Sequence, residues 1–170
     1  SRVEAKKKHI TPFVTDNQRY DGKLHGISLS IEHPNHKMFY SKRMIHGPSK
    51  KWVVLVLRPE ILWEKDCAFY KHNAADSRMS RLPLQSLKGC NAFESMFSNE
   101  FSRKQQGLKD NQVTDVQAEV FALESIETTY LHGVAFEDEW VRRTYGQQLD
   151  RMGIVNAVYR PFYGKREWQQ

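Results

Sequence analysis

Sulfur is scarce in this chain. Its two cysteines, Cys67 and Cys90, lie far apart, with no CxxC pair and no histidine at ligand spacing. That argues against a zinc knuckle and fits free thiols in a reducing compartment, so a cytoplasmic location is expected. No GxGxxG follows a strand pattern and no GxxxxGK[ST] occurs, which excludes the Rossmann and P-loop phosphate cradles. HExxH and Cys/His clusters are missing as well, so no metal site is expected. No apolar run approaches bilayer length and no signal-peptide pattern is present, so no membrane contact is expected. Internal repeats, heptads and low-complexity tracts are also lacking. The seven histidines are scattered, and His46 and His132 read as structural or surface residues.

What is present is a globular composition: 170 residues, 39% hydrophobic and 12% aromatic. That length suits one core, and a single domain spanning residues 1–170 is expected, as a monomer. Lys and Arg outnumber Asp and Glu by 26 to 20, for a formal charge of +6. The excess is compatible with a nucleic-acid partner without demanding one. The opening Ser1-Arg2, without Met, fits a segment cut from a longer protein.

Residues 1–24 are polar and basic, with Lys6-Lys7-Lys8, Arg19 and a turn signal at Asp21-Gly22. This stretch reads either as a disordered arm or as a loop that folds over an anionic ligand. Gly26 to Ile31 alternates apolar and hydroxyl residues, as a half-buried strand does. Pro34-Asn35 starts a short helix running through Arg43 and closed by Gly47-Pro48-Ser49. Trp52 to Leu57 is the most apolar run and reads as a central strand covered on both faces. Pro59 to Trp63 makes one helical turn, and Cys67 to Tyr70 a short strand. Asp76 to Asp115 reads as mostly irregular, apart from a helix at Asn91–Phe97 with Asn91 as N-cap and Glu94 completing a capping box. Further strands are expected at Leu131–Phe136 and Asn156–Pro161, around an amphipathic helix from Glu137 to Met152 stopped by Gly153. The predicted class is α+β, with a central mixed, mostly antiparallel sheet flanked by short helices.

The most informative stretch is Thr114 to Leu123. It reads as a buried strand with Glu119 in the middle, where a packed sheet disfavours a charge by several kcal/mol on the order given by transfer energies. Alternation puts Ala118, Val120 and Ala122 on one face and Gln117, Glu119 and Phe121 on the other. Glu119 is then either a salt-bridged or strand-end carboxylate, or a cleft carboxylate with the Gln117 amide aimed at the same bound molecule. Together with the hydroxyl face of Ser28 and Ser30 and with Arg19, the second reading suits cleavage of the nicotinamide–ribose bond of NAD. Positive charge builds on the sugar as that bond breaks. A fixed carboxylate stabilises it, a contribution of about 3–4 kcal/mol per group, and an arginine can clamp the diphosphate.

Gln117-Ala118-Glu119-Val120 resembles the catalytic strand of the DarT family, toxins that ADP-ribosylate bases in single-stranded DNA. The likeness extends to Arg19-Tyr20-Asp21-Gly22, Ser28-Leu29-Ser30-Ile31, the stretch from His33-Pro34-Asn35 to Tyr40, Asn73-Ala74-Ala75, Met96-Phe97 and Phe121 to Phe162. The resemblance implies an ADP-ribosyltransferase-like fold with NAD as co-substrate. It implies Glu119 and Arg19 as catalytic residues, with Arg19, Ser28, Ser30 and Glu119 on NAD, and residues 1–24 as the NAD-binding loop element. Residues 76–117 would form the substrate-recognition loop region. The partners implied are single-stranded DNA and a macrodomain-type ADP-ribosyl hydrolase as antitoxin. The family opens with a strand carrying His-x-Thr followed by a helix. His9-Ile10-Thr11 spells that motif too close to Arg19 for the helix to fit, so the first strand and helix are expected to be absent from this sequence. The Pro34 to Tyr40 stretch is more similar to the guanine-modifying branch than to the thymine-modifying one.

For the acceptor base and DNA, the candidates are Gln117, Lys37, Met38, Lys42, Arg43, Asn73, Arg78, Arg81, Arg103 and Lys104. Cations there would neutralise phosphates and neighbouring aromatics would stack bases; the alternative for each is ordinary solvated surface charge. Two rival functions remain open: the same fold acting on RNA or protein, and a non-enzymatic basic nucleic-acid-binding module in which Glu119 is structural.

Overall fold

The computed structural model describes residues 26–47 and 50–166. Arg19, His9-Ile10-Thr11, the rest of the 1–24 element and Pro48-Ser49 lie outside the described residues. The described backbone divides into two compact units, one of residues 26–32 and 62–126 and the other of residues 33–61 and 127–166.

The first unit holds a three-stranded antiparallel sheet in the order β1 (Ile27–Leu29), β4 (Glu119–Ala122), β3 (Cys67–Tyr70). The middle strand is fully buried, and its alternating faces feed two different cores. Val120 and Ala122, with Ala118 just before the strand, pack with Cys67, Phe69, Ala92, Met96 and Val113. Phe121 points the other way into Ala68, Tyr70, Ala74, Met79 and Leu87. Its ring meets Tyr70 edge-on at 5.2 Å between centroids, and burying such a side chain contributes about 1.5–3 kcal/mol. Gly26 is needed opposite this ring, because a Cβ there would sit 2.6 Å from Phe121 Cδ1.

The Asp76–Asp115 stretch is more regular than its composition suggests. It contains α3 (Ser77–Ser80), a 3-10 turn (Leu84–Leu87), α4 (Gly89–Ser95) and α5 (Glu100–Gln105). Asp76 caps α3 and Asn99 caps α5, each accepting from a backbone amide. Helix α4 starts two residues before the expected Asn91 cap. Gly89 takes φ +79° there, which turns the chain into the helix early and leaves Asn91 inside it.

The second unit carries a sheet in the order β2 (Val53–Leu57), β5 (Leu131–Phe136), β6 (Val155–Val158). Strands β2 and β5 are antiparallel, while β5 and β6 are parallel and joined by α6 (Glu139–Arg151), as a parallel pair requires. The mixed character expected of the sheet therefore resides in this unit, and the antiparallel character is shared by both. Asp138 caps α6, and Val141 and Leu149 pack it onto Val134, Phe136 and Val158. The Trp52–Leu57 run is not the doubly covered centre expected. Among the described strands it lies at the edge, and Leu55 is 58% exposed, because the smaller-faced β5 takes the middle position. Helix α1 (His36–His46) is capped by Asn35 and has no fully buried residue. The remaining helix, α2 (Ile61–Glu64), is the single turn expected after Pro59.

Candidate active site

Strand β4 begins at Glu119, with its side chain 6% exposed. Its flanks come from the two neighbouring strands. On β1, Ser28 lies opposite Phe121 and its Oγ donates to Glu119 Oε2 at 2.7 Å. On the other side Tyr70 pairs with Glu119, and the chain leaving β3 brings the Ala74 amide to Oε1 at 3.3 Å. Both described donors are neutral. Each carboxylate oxygen is therefore held by a hydrogen bond from one of the two flanking segments. Such a fixed carboxylate at the start of a central strand is an arrangement that can stabilise developing positive charge. Ser30, two residues along from Ser28, is exposed.

Gln117 is not on the strand, so it does not share the Glu119 face by strand alternation. Asp115 accepts the Gln117 amide at 2.9 Å through Oδ1, and its carbonyl accepts the Ala118 amide at 2.8 Å. This Asx turn replaces the first residues of the expected strand, because the aspartate offers the backbone a partner that competes with the sheet ladder. The other Asp115 oxygen meets His72 Nδ1 at 2.7 Å. The sequence reading missed Ala74, His72 and Asp115. Only Asp115, two residues ahead of Gln117, had a local signal, that of an Asx turn.

The remaining candidates in the first unit are placed as follows. Asn73 sits beside Ala74, and its Oδ1 accepts the Ala75 amide at 2.9 Å. Arg78 grips Asp76 through Nε and Nη2 at 2.9 and 2.7 Å. That pairing, helped by the Arg78 backbone amide, holds the Asp76 carboxyl well below the usual carboxylate range and raises the Arg78 guanidinium. Arg81 is exposed, and Lys104 pairs with Glu100 one helical turn away at 2.7 Å. Arg103 serves its own loop. Nη1 donates to the Gln112 carbonyl at 2.6 Å and to Thr114 Oγ1 at 3.4 Å, and Nη2 to the Lys109 carbonyl at 2.8 Å. It is a brace of the segment leading to Glu119.

In the second unit, Lys37 and Met38 are exposed on α1 and Lys42 is half-buried. Arg43 is engaged internally. It forms an ion pair with Glu137, donates to the Tyr163 carbonyl at 2.9 Å, and lies over the Phe39 and Tyr163 rings. Tyr163 in turn donates toward the Ala135 and Trp52 carbonyls at 2.8 and 3.1 Å. Burial, with Glu137 adding, pushes its phenol from 10.0 up to about 12. Among the described residues no group of three or more His, Cys, Asp or Glu side chains is placed to hold a metal ion. None of their helices is long and apolar enough to cross a membrane.

The profile of the family described as "ssDNA thymidine ADP-ribosyltransferase, DarT" matches residues 14–168. Among solved structures, that of Thermosipho africanus DarTG in complex with ADP-ribose superposes with a TM-score of 0.67 at 15% identity, over 96% of this chain. This chain spans 45% of that one, and the likeness establishes the fold. No curated protein matches. The span of the family match, over nearly the whole chain and through the buried Glu119, makes this protein a member of the DarT family of single-stranded-DNA thymidine ADP-ribosyltransferases.

Proposed function

We propose that this protein transfers ADP-ribose from NAD to a base of single-stranded DNA, releasing nicotinamide. The observation that carries the reading is the buried Glu119 carboxylate, aimed by Ser28 and Ala74 from either side. In this reading the carboxylate stabilises the oxocarbenium-like ribose as the nicotinamide leaves. Ser28 holds the carboxylate, and Ser30 extends the hydroxyl edge toward the NAD ribose. Arg19 clamps the diphosphate and assists removal of the proton from the acceptor base. The ADP-ribose bound in the Thermosipho structure supports NAD as the co-substrate.

The acceptor side is assigned to the segment 76–117 with Gln117 and Asn73. Lys37, Met38, Lys42, Arg78, Arg81 and Lys104 are the candidates for DNA contact. Arg43 and Arg103 have their guanidinium groups committed inside their own units, and the part of each is to shape its own unit's surface. Guanine is the favoured base, from the Pro34 to Tyr40 stretch, whereas the matched family's description names thymidine. A monomer acting in the cytoplasm against single-stranded DNA, countered by a macrodomain-type hydrolase, completes the proposal.

The test is mass spectrometry of single-stranded oligonucleotides, each lacking one base, after incubation with the protein and NAD. A product heavier by one ADP-ribose is expected from every oligonucleotide except that lacking guanine. Loss only when thymine is missing reverses the base assignment, and no product from any of them overturns the DNA reading. RNA and protein acceptors offered with labelled NAD separate the two rival acceptors.

A further inference from the structure

We infer that Asp115 is a positioning residue that clamps the acceptor side of the site, through His72, onto the segment that holds Glu119. The inference rests on the transferase reading and adds a part to it. One residue does three things at once. Oδ1 accepts the Gln117 amide at 2.9 Å, Oδ2 meets His72 Nδ1 at 2.7 Å, and the same residue's carbonyl accepts the Ala118 amide at 2.8 Å. His72 lies between Tyr70, the register partner of Glu119, and Ala74, whose amide holds the Glu119 carboxylate. The contacts therefore close a circuit that runs Glu119, Ala74, His72, Asp115, Gln117 and back to Glu119.

The circuit has a mechanical consequence. Among the described residues the ladder begins at Glu119, and Asp115 ties the Gln117 turn ahead of it to His72, on the chain leaving β3. The two side chains are about a quarter exposed, at 25% and 27%, so the link lies at the rim of the site and not in the core. Glu119 itself is seated separately, by Ser28 on β1 and by the β-ladder. Breaking the clamp should thus free the acceptor-facing turn more than the carboxylate. Water needs no oriented acceptor turn to capture the ribose, whereas a DNA base does.

The test compares wild type with Asp115→Ala, Asp115→Asn, His72→Ala and the double alanine variant. Each is assayed for NAD hydrolysis without DNA and for ADP-ribose transfer to a mixed-sequence single-stranded oligonucleotide. Losing a hydrogen bond to a charged group predicts that Asp115→Ala lowers the ratio of transfer to hydrolysis about tenfold, with a raised KM for the oligonucleotide. Asn keeps the acceptor for the Gln117 amide and can offer an N–H to His72, so Asp115→Asn should recover most of the ratio. His72→Ala should reproduce the loss, and the double variant should be no worse than the worse single. A loss of hydrolysis in step with transfer, an Asn variant no better than Ala, or multiplying effects in the double variant would each overturn the clamp. If Asp115→Ala fails to fold, a folded His72→Ala with a normal ratio overturns it equally. A wild type that neither releases nicotinamide nor labels DNA instead refutes the transferase reading, leaving a distinct signature.

Discussion

Ser28→Ala isolates what holding the carboxylate contributes. The serine supplies the shorter of the two described hydrogen bonds to Glu119, 2.7 Å against 3.3 Å from the Ala74 amide. A hydrogen bond to a charged group contributes about 1.5–3 kcal/mol. If it acts fully where the ribose acquires positive charge, its loss lowers kcat about 10- to 150-fold. The fold loses less. Ser28 is on the exposed side of β1, so water can replace its hydroxyl, and a loss of about 1 kcal/mol lowers Tm by roughly 2–4 °C. Glu119→Gln is the companion measurement. Glutamine still accepts from the Ala74 amide, and the Ser28 hydroxyl can rotate to accept from the new amide, so stability should stay within about 1 kcal/mol. Turnover, however, should fall about 10²–10³-fold because the charge is gone. The assay is nicotinamide release at saturating NAD, alongside thermal unfolding of each variant. Ser28→Thr, which keeps the hydroxyl, should restore much of the rate. Unchanged turnover in Ser28→Ala with a lowered Tm would show that the bond only braces the sheet. A Glu119→Gln variant that is unstable yet active would refute the assignment of the carboxylate itself.

Three further outcomes are expected. Cys67 is buried, and burial aided by Asp66 and Glu124 pushes its thiol from 9.0 up to about 11, while Cys90 is exposed; a thiol reagent at neutral pH should therefore modify Cys90 quickly and Cys67 only on unfolding. Tyr163 keeps its proton more tightly folded than unfolded, so its contribution to stability is present below pH 10.0 and is lost as pH rises toward about 12; ultraviolet titration should show a late phenol that disappears in Tyr163→Phe. Arg103→Ala should speed amide exchange over residues 109–114, yet leave the salt dependence of DNA binding unchanged, whereas a direct phosphate contact would reduce that slope by about 1.

Much of the chain was determined by its local chemistry. Strand Leu131–Phe136 falls where its run is expected, α6 starts at its aspartate cap, and Ala118, Val120 and Ala122 share the face that alternation assigns them. The carboxylate at Glu119 stood out because a charge in an apolar run has to be explained. Its donors were not legible, since Ser28 and Ala74 lie 91 and 45 residues away along the chain and only sheet pairing brings them together. The same limit explains β2: an apolar run reports hydrophobicity, but whether it becomes centre or edge depends on which strand the other two choose as neighbour. It also explains the arginines. Sequence marks Arg43 and Arg103 as charges, and only tertiary contacts decide that one faces Glu137 and the other three oxygens of its own loop. Hydrophobic period and capping are short-range properties, so residues within a turn or two suffice to read them. The partners of a buried charge are chosen by desolvation across the fold, and that selection exists only once the strands have met.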